Sequence, residues 1–170
     1  MLIPPLIITL IIDSASQDFF SEQRKRYFPA HVNYLDAHLT LFHKLPSDEI
    51  MIDESLKSLR QRKSFFMEVN EILNIGKGVV YKIQSPELQQ LHKQMQQAFS
   101  PFLIPQDKGT LWPHITVQNK VTANKADLLH RELSASFKPF PIKALGFATW
   151  LYLKGPWEKK REFLFTDTGF

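Results

Sequence analysis

His38-Leu39-Thr40-Leu41 and His114-Ile115-Thr116-Val117 are one four-residue pattern written twice: histidine, aliphatic, threonine, aliphatic. In an extended strand successive side chains point to opposite faces. His38 and Thr40 therefore share one face, with Leu39 and Leu41 on the other; His114 and Thr116 likewise oppose Ile115 and Val117. The aliphatic side suits packing against helices, and the polar side suits the wall of a groove. With 6 His and 8 Thr in 170 residues, chance supplies about 0.3 His-x-Thr matches. Two are present, one in each half of the chain, so the pair carries information that a single copy would not.

Working outward from the pair, the hydrophobic periods predict an ordered alternation. Leu6 to Ile12 reads as a buried strand. Ser14 to Tyr27 reads as a short polar helix or loop with Ser14 or Ser16 as cap, and residues 24–30 as a basic-aromatic loop. Ala37 to Lys44 is the first motif strand. A helix opening at Pro46-Ser47 follows, with Ser47 as cap. Strands at Ser64 to Ile75 and Gly78 to Gln84 precede a helix started by Ser85-Pro86. His114 to Val121 is the second motif strand, and Thr122 caps a helix to about Phe137. Pro139 and Pro141 break the chain; Ile142 to Leu153 and Glu162 to Thr166 end it as strands. Strand, helix, strand, strand thus occurs twice. The expected fold is α+β and bilobal: two pseudo-symmetric lobes of antiparallel sheet plus helix around a central cleft, interleaved within a single domain over residues 1–170.

If a pseudo-twofold relates the halves, the two His-Thr pairs meet across the cleft. Such a meeting suits phosphodiester chemistry. One neutral imidazole takes a proton from the attacking oxygen, and the other, protonated, gives one to the departing oxygen. The threonine hydroxyls can donate to non-bridging phosphate oxygens. His38 and His114 are the candidate catalytic residues, and Thr40 and Thr116 the candidate phosphate ligands. Phe42 and Gln118 continue the cleft faces at period two, and Lys120 extends the second. Arg24 and Arg26 could hold an anionic end of the substrate. His43 falls on the opposite face by the same alternation. No cofactor and no metal is expected, since a zinc set from His31, His38 and His43 lacks Cys and its spacing matches no helical or finger pattern.

Composition narrows the classes. Hydrophobic residues make up 44% and charged residues 22%, with 14 Phe, which fits a globular core rather than disorder. The net charge of +4 suits an anionic ligand and is too dispersed for a polybasic nucleic-acid arm. The absence of Cys excludes disulfides and thiol nucleophiles and is compatible with a cytoplasmic setting. The apolar run from Met1 to Ile12 has no Lys or Arg before Arg24, so it reads as a strand and not as a signal peptide. It is too short for a membrane span. A monomer is expected.

The paired motifs resemble those of the 2H phosphoesterase superfamily, in its 2′-5′ RNA ligase-like branch. The resemblance extends to Tyr27-Phe28-Pro29-Ala30 upstream of the first motif and to Trp112-Pro113 before the second. It implies a bilobal α+β fold. It also implies cyclic phosphodiesterase activity or 2′-5′ ligation of RNA ends, without metal, with RNA ends or nucleotide cyclic phosphates as substrates. Two other functions fit the same residues: a non-catalytic RNA- or nucleotide-binding module, and a hydrolase of a small non-RNA cyclic phosphodiester.

Overall fold

In a computed structural model, which describes residues 2–168, Leu6–Ile12 form strand β1. Helix α1 (Ser14–Tyr27) follows at once. Its cap is Asp13, not Ser14 or Ser16: the carboxylate accepts from Ser16 N at 3.1 Å and also from Lys143 N at 2.8 Å. One carboxylate thus starts the helix and ties it to the sheet. Arg24 lies in the last turn of α1, so the basic-aromatic loop begins later than its charge suggests. β2 spans Leu39–Leu45. Helix α2 (Ile50–Leu59) starts four residues after Pro46, because the Ser47 hydroxyl donates to Pro4 O instead of capping.

Strands β3 (Phe65–Asn74) and β4 (Val79–Gln84) form a hairpin. Helix α3 (Pro86–Ala98) is capped by Ser85 and buries Leu88, Leu91, His92 and Met95. β5 is His114–Gln118, and Thr122 caps helix α4 (Ala123–Ala135). β6 (Phe140–Tyr152) begins earlier than expected and contains Pro141. Proline is tolerated there because β1 covers β6 only from Ala144 onward, leaving that edge unpaired. β7 (Trp157–Leu164) begins five residues before the expected start. Its lysines and glutamates sit on an exposed strand that pairs only with β6, a composition that protects sheet edges and hides the strand's period.

All pairings are antiparallel, in the order β2-β1-β6-β3-β4-β5 with β7 beside β6. β6 is shared. Its second part pairs with β1 and β7, and its first part with β3. One lobe is therefore β2-β1-β6-β7 and the other β6-β3-β4-β5. Gly146 allows this close packing, since a Cβ there would stand 2.4 Å from Phe163 O. α3, with α2 against it, covers the first lobe. α1 packs on β5, and α4 on β3 and β4. Phe20, Tyr81 and Phe140 interlock beneath α1. The motif strands β2 and β5 lie at opposite ends of the strand order, yet the sheet curls enough that they touch. Among the described residues, no helix is long and apolar enough to cross a membrane.

Candidate active site

His38 immediately precedes β2 and His114 opens β5. Each imidazole makes the same bond. His38 Nδ1–H donates to Asp36 O at 2.9 Å, and His114 Nδ1–H donates to Trp112 O at 2.8 Å. A carbonyl can only accept, so both neutral rings carry their proton on Nδ1 and present a lone pair at Nε2. Each ring also lies against a tryptophan, His38 against Trp157 at 4.7 Å and His114 against Trp112 at 4.3 Å. The repeated motif is therefore repeated in three dimensions.

The registers of the motif strands are repeated too. In antiparallel sheets directly paired residues point to one face. Thr40 pairs with Thr9 and Phe42 with Ile8, which leaves Leu41 as an extra residue. On β5, Thr116 pairs with Val80 and Gln118 with Val79, which leaves Val117 as the extra residue. A bulge follows the threonine in both motifs and reverses the alternation beyond it.

That reversal corrects three readings of the sequence. Phe42 is fully buried on the core face with Ile8, stacked on His92 at 4.7 Å. Gln118 is also buried, on the face of Val79 and not that of His114. His43, expected on the opposite face, returns to the Thr40 side. Two further candidates lie away from the cleft. Lys120 is past the end of β5, with a left-handed φ of 61° and its amide bonded to Asn119 Oδ1. Arg26 is exposed beside the Tyr27 ring, over a separate surface hollow lined by Phe19, Glu22 and Lys25.

Arg24 lies behind the second motif strand. It is buried over the Phe28 ring at 4.0 Å, donates to Asn33 Oδ1 at 2.8 Å and to Thr116 O at 3.3 Å, and braces β5 against α1. Burial lowers its pKa to about 10, opposed by Asp36, so it is charged at neutral pH.

A cleft of about 490 Å³ opens beside His38, lined also by Thr9, Tyr34, Trp150, Trp157 and Lys159. Thr9 Oγ1 accepts from Trp150 Nε1 at 2.9 Å, and Lys159 lies over the Trp150 ring at 5.2 Å. Trp157 and Tyr34 were not singled out by sequence reasoning, because the β7 period is masked by charge and Tyr34 stands in a loop. A larger cavity, about 710 Å³, lies at the far end of the same lobe among Leu2, Ile3, Phe102 and Tyr152, and contains neither motif histidine. Among the described residues, no three His, Asp or Glu side chains are grouped to hold a metal ion.

Burial lowers the His38 pKa to about 4; the positive charges of Arg24, His114 and His43 add to this, and the bond to Asp36 opposes it. Burial also lowers the pKa of His114 and of His92. Burial thus disfavours the protonated form of these rings in the folded chain, and they take up a proton more readily once it unfolds. Between pH 6.5 and about 4 the unfolded chain binds more protons, so stability is lost as pH falls through that window. The His38 shift is equivalent to about 3 kcal/mol, which partial solvent contact reduces to about 1–2 kcal/mol. His38→Gln is therefore expected to flatten the fall in unfolding free energy, read from urea titrations between about pH 7 and pH 4.5, by that amount. Parallel declines in both proteins would contradict the assignment.

A family model described as the 2′-5′ RNA ligase superfamily matches residues 12–155. No curated protein sequence matches the chain significantly. Among solved structures, the chain is similar to TT0787 of Thermus thermophilus, with a TM-score of 0.68, 16% identity, and coverage of 98% of this chain and 100% of that one. It is also similar to E. coli LigT complexed with 3′-AMP, with a TM-score of 0.60, 13% identity, and coverage of 97% and 99%. LigT complexed with phosphate aligns with a TM-score of 0.57 at 13% identity, covering 98% and 99%. With both motifs in place on this fold and the match spanning most of its length, the chain belongs to the 2′-5′ RNA ligase superfamily of 2H phosphoesterases.

Proposed function

We propose that the chain opens 2′,3′-cyclic phosphates of RNA ends or nucleotides, using His38 and His114 as an acid–base pair, and that a 5′-hydroxyl in place of water as the nucleophile joins 2′-5′ linkages by the same ring opening. The observation that carries this reading is the duplicated geometry: two imidazoles with Nδ1 occupied by a carbonyl and Nε2 free, each followed by a threonine. The structures of LigT with 3′-AMP and with phosphate support it by analogy. The Nε2 of one histidine takes a proton from water as the water oxygen attacks phosphorus. The other histidine gives its Nε2 proton to the departing ribose oxygen, and the ring opens to a monoester. Thr40, Thr116 and the Arg24 charge stabilise the phosphorane-like state. In the reverse direction the two histidines exchange roles.

The test is turnover of a panel of nucleoside 2′,3′-cyclic phosphates and cyclic-phosphate oligoribonucleotides, followed against pH. One ring must be neutral and the other protonated, and both pKa values are lowered from 6.5. The profile of kcat/KM is therefore expected to be bell-shaped with its maximum on the acid side of neutrality, because it reports the free enzyme. No turnover on any member of the panel, or a flat profile with chemistry limiting, would sink the reading.

A further inference from the structure

The bulge that sends Phe42 into the core returns His43 to the side of Thr40, and His43 is held there by a buried carboxylate. Asp107, in the turn Pro105–Lys108, has a side chain only 1% exposed. It accepts from His43 N at 2.9 Å, from Lys44 N at 3.2 Å and from His43 Nδ1 at 2.8 Å. The two backbone bonds already clip the turn to β2, so the third does something else: it orients a side chain that is 44% exposed. With Nδ1 engaged, Nε2 is the outward atom, as in His38 and His114. The contact becomes an ion pair whenever the ring is protonated. A charge on His43 would reach both motif histidines, so the ring stands near the pair. Nothing in the two-histidine reaction uses it.

Taking that reaction as given, we propose that His43, positioned by Asp107, is a specificity-determining residue that binds a second phosphate of the substrate, the one linking the reacting end to the neighbouring nucleotide. A cationic or donating imidazole on the Thr40 side of β2, held by a carboxylate that cannot itself approach the ligand, recognises a phosphodiester rather than a base. The preferred substrate is then an oligoribonucleotide end and not a mononucleoside cyclic phosphate.

The experiment compares KM for adenosine 2′,3′-cyclic phosphate with KM for a diadenosine ending in the same group. In the wild-type chain the dinucleotide is expected to have the lower KM. His43→Ala, which keeps both backbone bonds to Asp107, is expected to shrink the ratio of the two KM values about tenfold while kcat moves by one common factor for both substrates. His43→Gln, which retains a side-chain donor for Asp107, is measured alongside and decides if the alanine variant does not fold. A ratio unaltered by either variant, or equal losses on both substrates, would overturn the proposal.

If the wild-type chain turns over neither substrate, it is the two-histidine reading that fails. Binding of adenosine 2′-monophosphate and adenosine 2′,5′-bisphosphate then decides the role of His43. A bisphosphate preference removed by the substitution supports that role, and no preference, or one left intact, overturns it.

Discussion

Replacing either His38 or His114 by alanine is expected to lower kcat on 2′,3′-cyclic phosphates by about 10²–10⁴-fold, the range that a positioned proton-transfer group contributes. KM should change far less, because the proposed threonine donors to the phosphate are left in place. The double variant should fall little further than the worse single one, since two groups that move one proton pair act as a unit. The comparison is read from steady-state kinetics at the wild-type optimum. Full activity in either single variant would remove that histidine from the mechanism. Multiplicative losses in the double variant would instead mean that the two rings act on separate steps. Both rings make only local side-chain bonds, to Asp36 O and Trp112 O, so the losses should come without unfolding.

The largest effect on stability is expected at Phe42. Its side chain is fully buried and packs on His92 and edge-on to Phe99 at 5.3 Å. Phe42→Ala should destabilise the chain by about 3–5 kcal/mol, the transfer cost of the ring plus the cavity it leaves, as measured by urea unfolding. The same experiment separates two arrangements of β2. If the strand alternated without a bulge, Phe42 would line the cleft, and its loss would raise KM while costing under about 1 kcal/mol of stability. The loss of stability is the outcome that the Ile8–Phe42 pairing requires.

The contrast between Thr40 and Phe42 shows where the sequence was legible and where it was not. The motif residues and most elements follow from side-chain period and capping chemistry, and the strand–helix order from those. A bulge has no such signature in a single sequence. It adds one residue without changing composition, and every side chain beyond it turns over. Phe42, Gln118 and His43 were all misplaced for that one reason. β7 was shortened for another: residues 158–162 are exposed at every position and carry no alternation to read. Trp157, which packs on His38, immediately precedes them. Arg24 was legible as a cation and not as a buried one, because its partners Asn33 and Thr116 are distant in sequence.

The most direct test of the central claim is a crystal structure of the chain soaked with a nucleoside 2′-monophosphate. One phosphate should lie within hydrogen-bonding distance of both His38 Nε2 and His114 Nε2, with the Thr40 and Thr116 hydroxyls on its other oxygens. A phosphate bound away from one of the two rings, with that ring's Nε2 turned into the protein, would contradict the account.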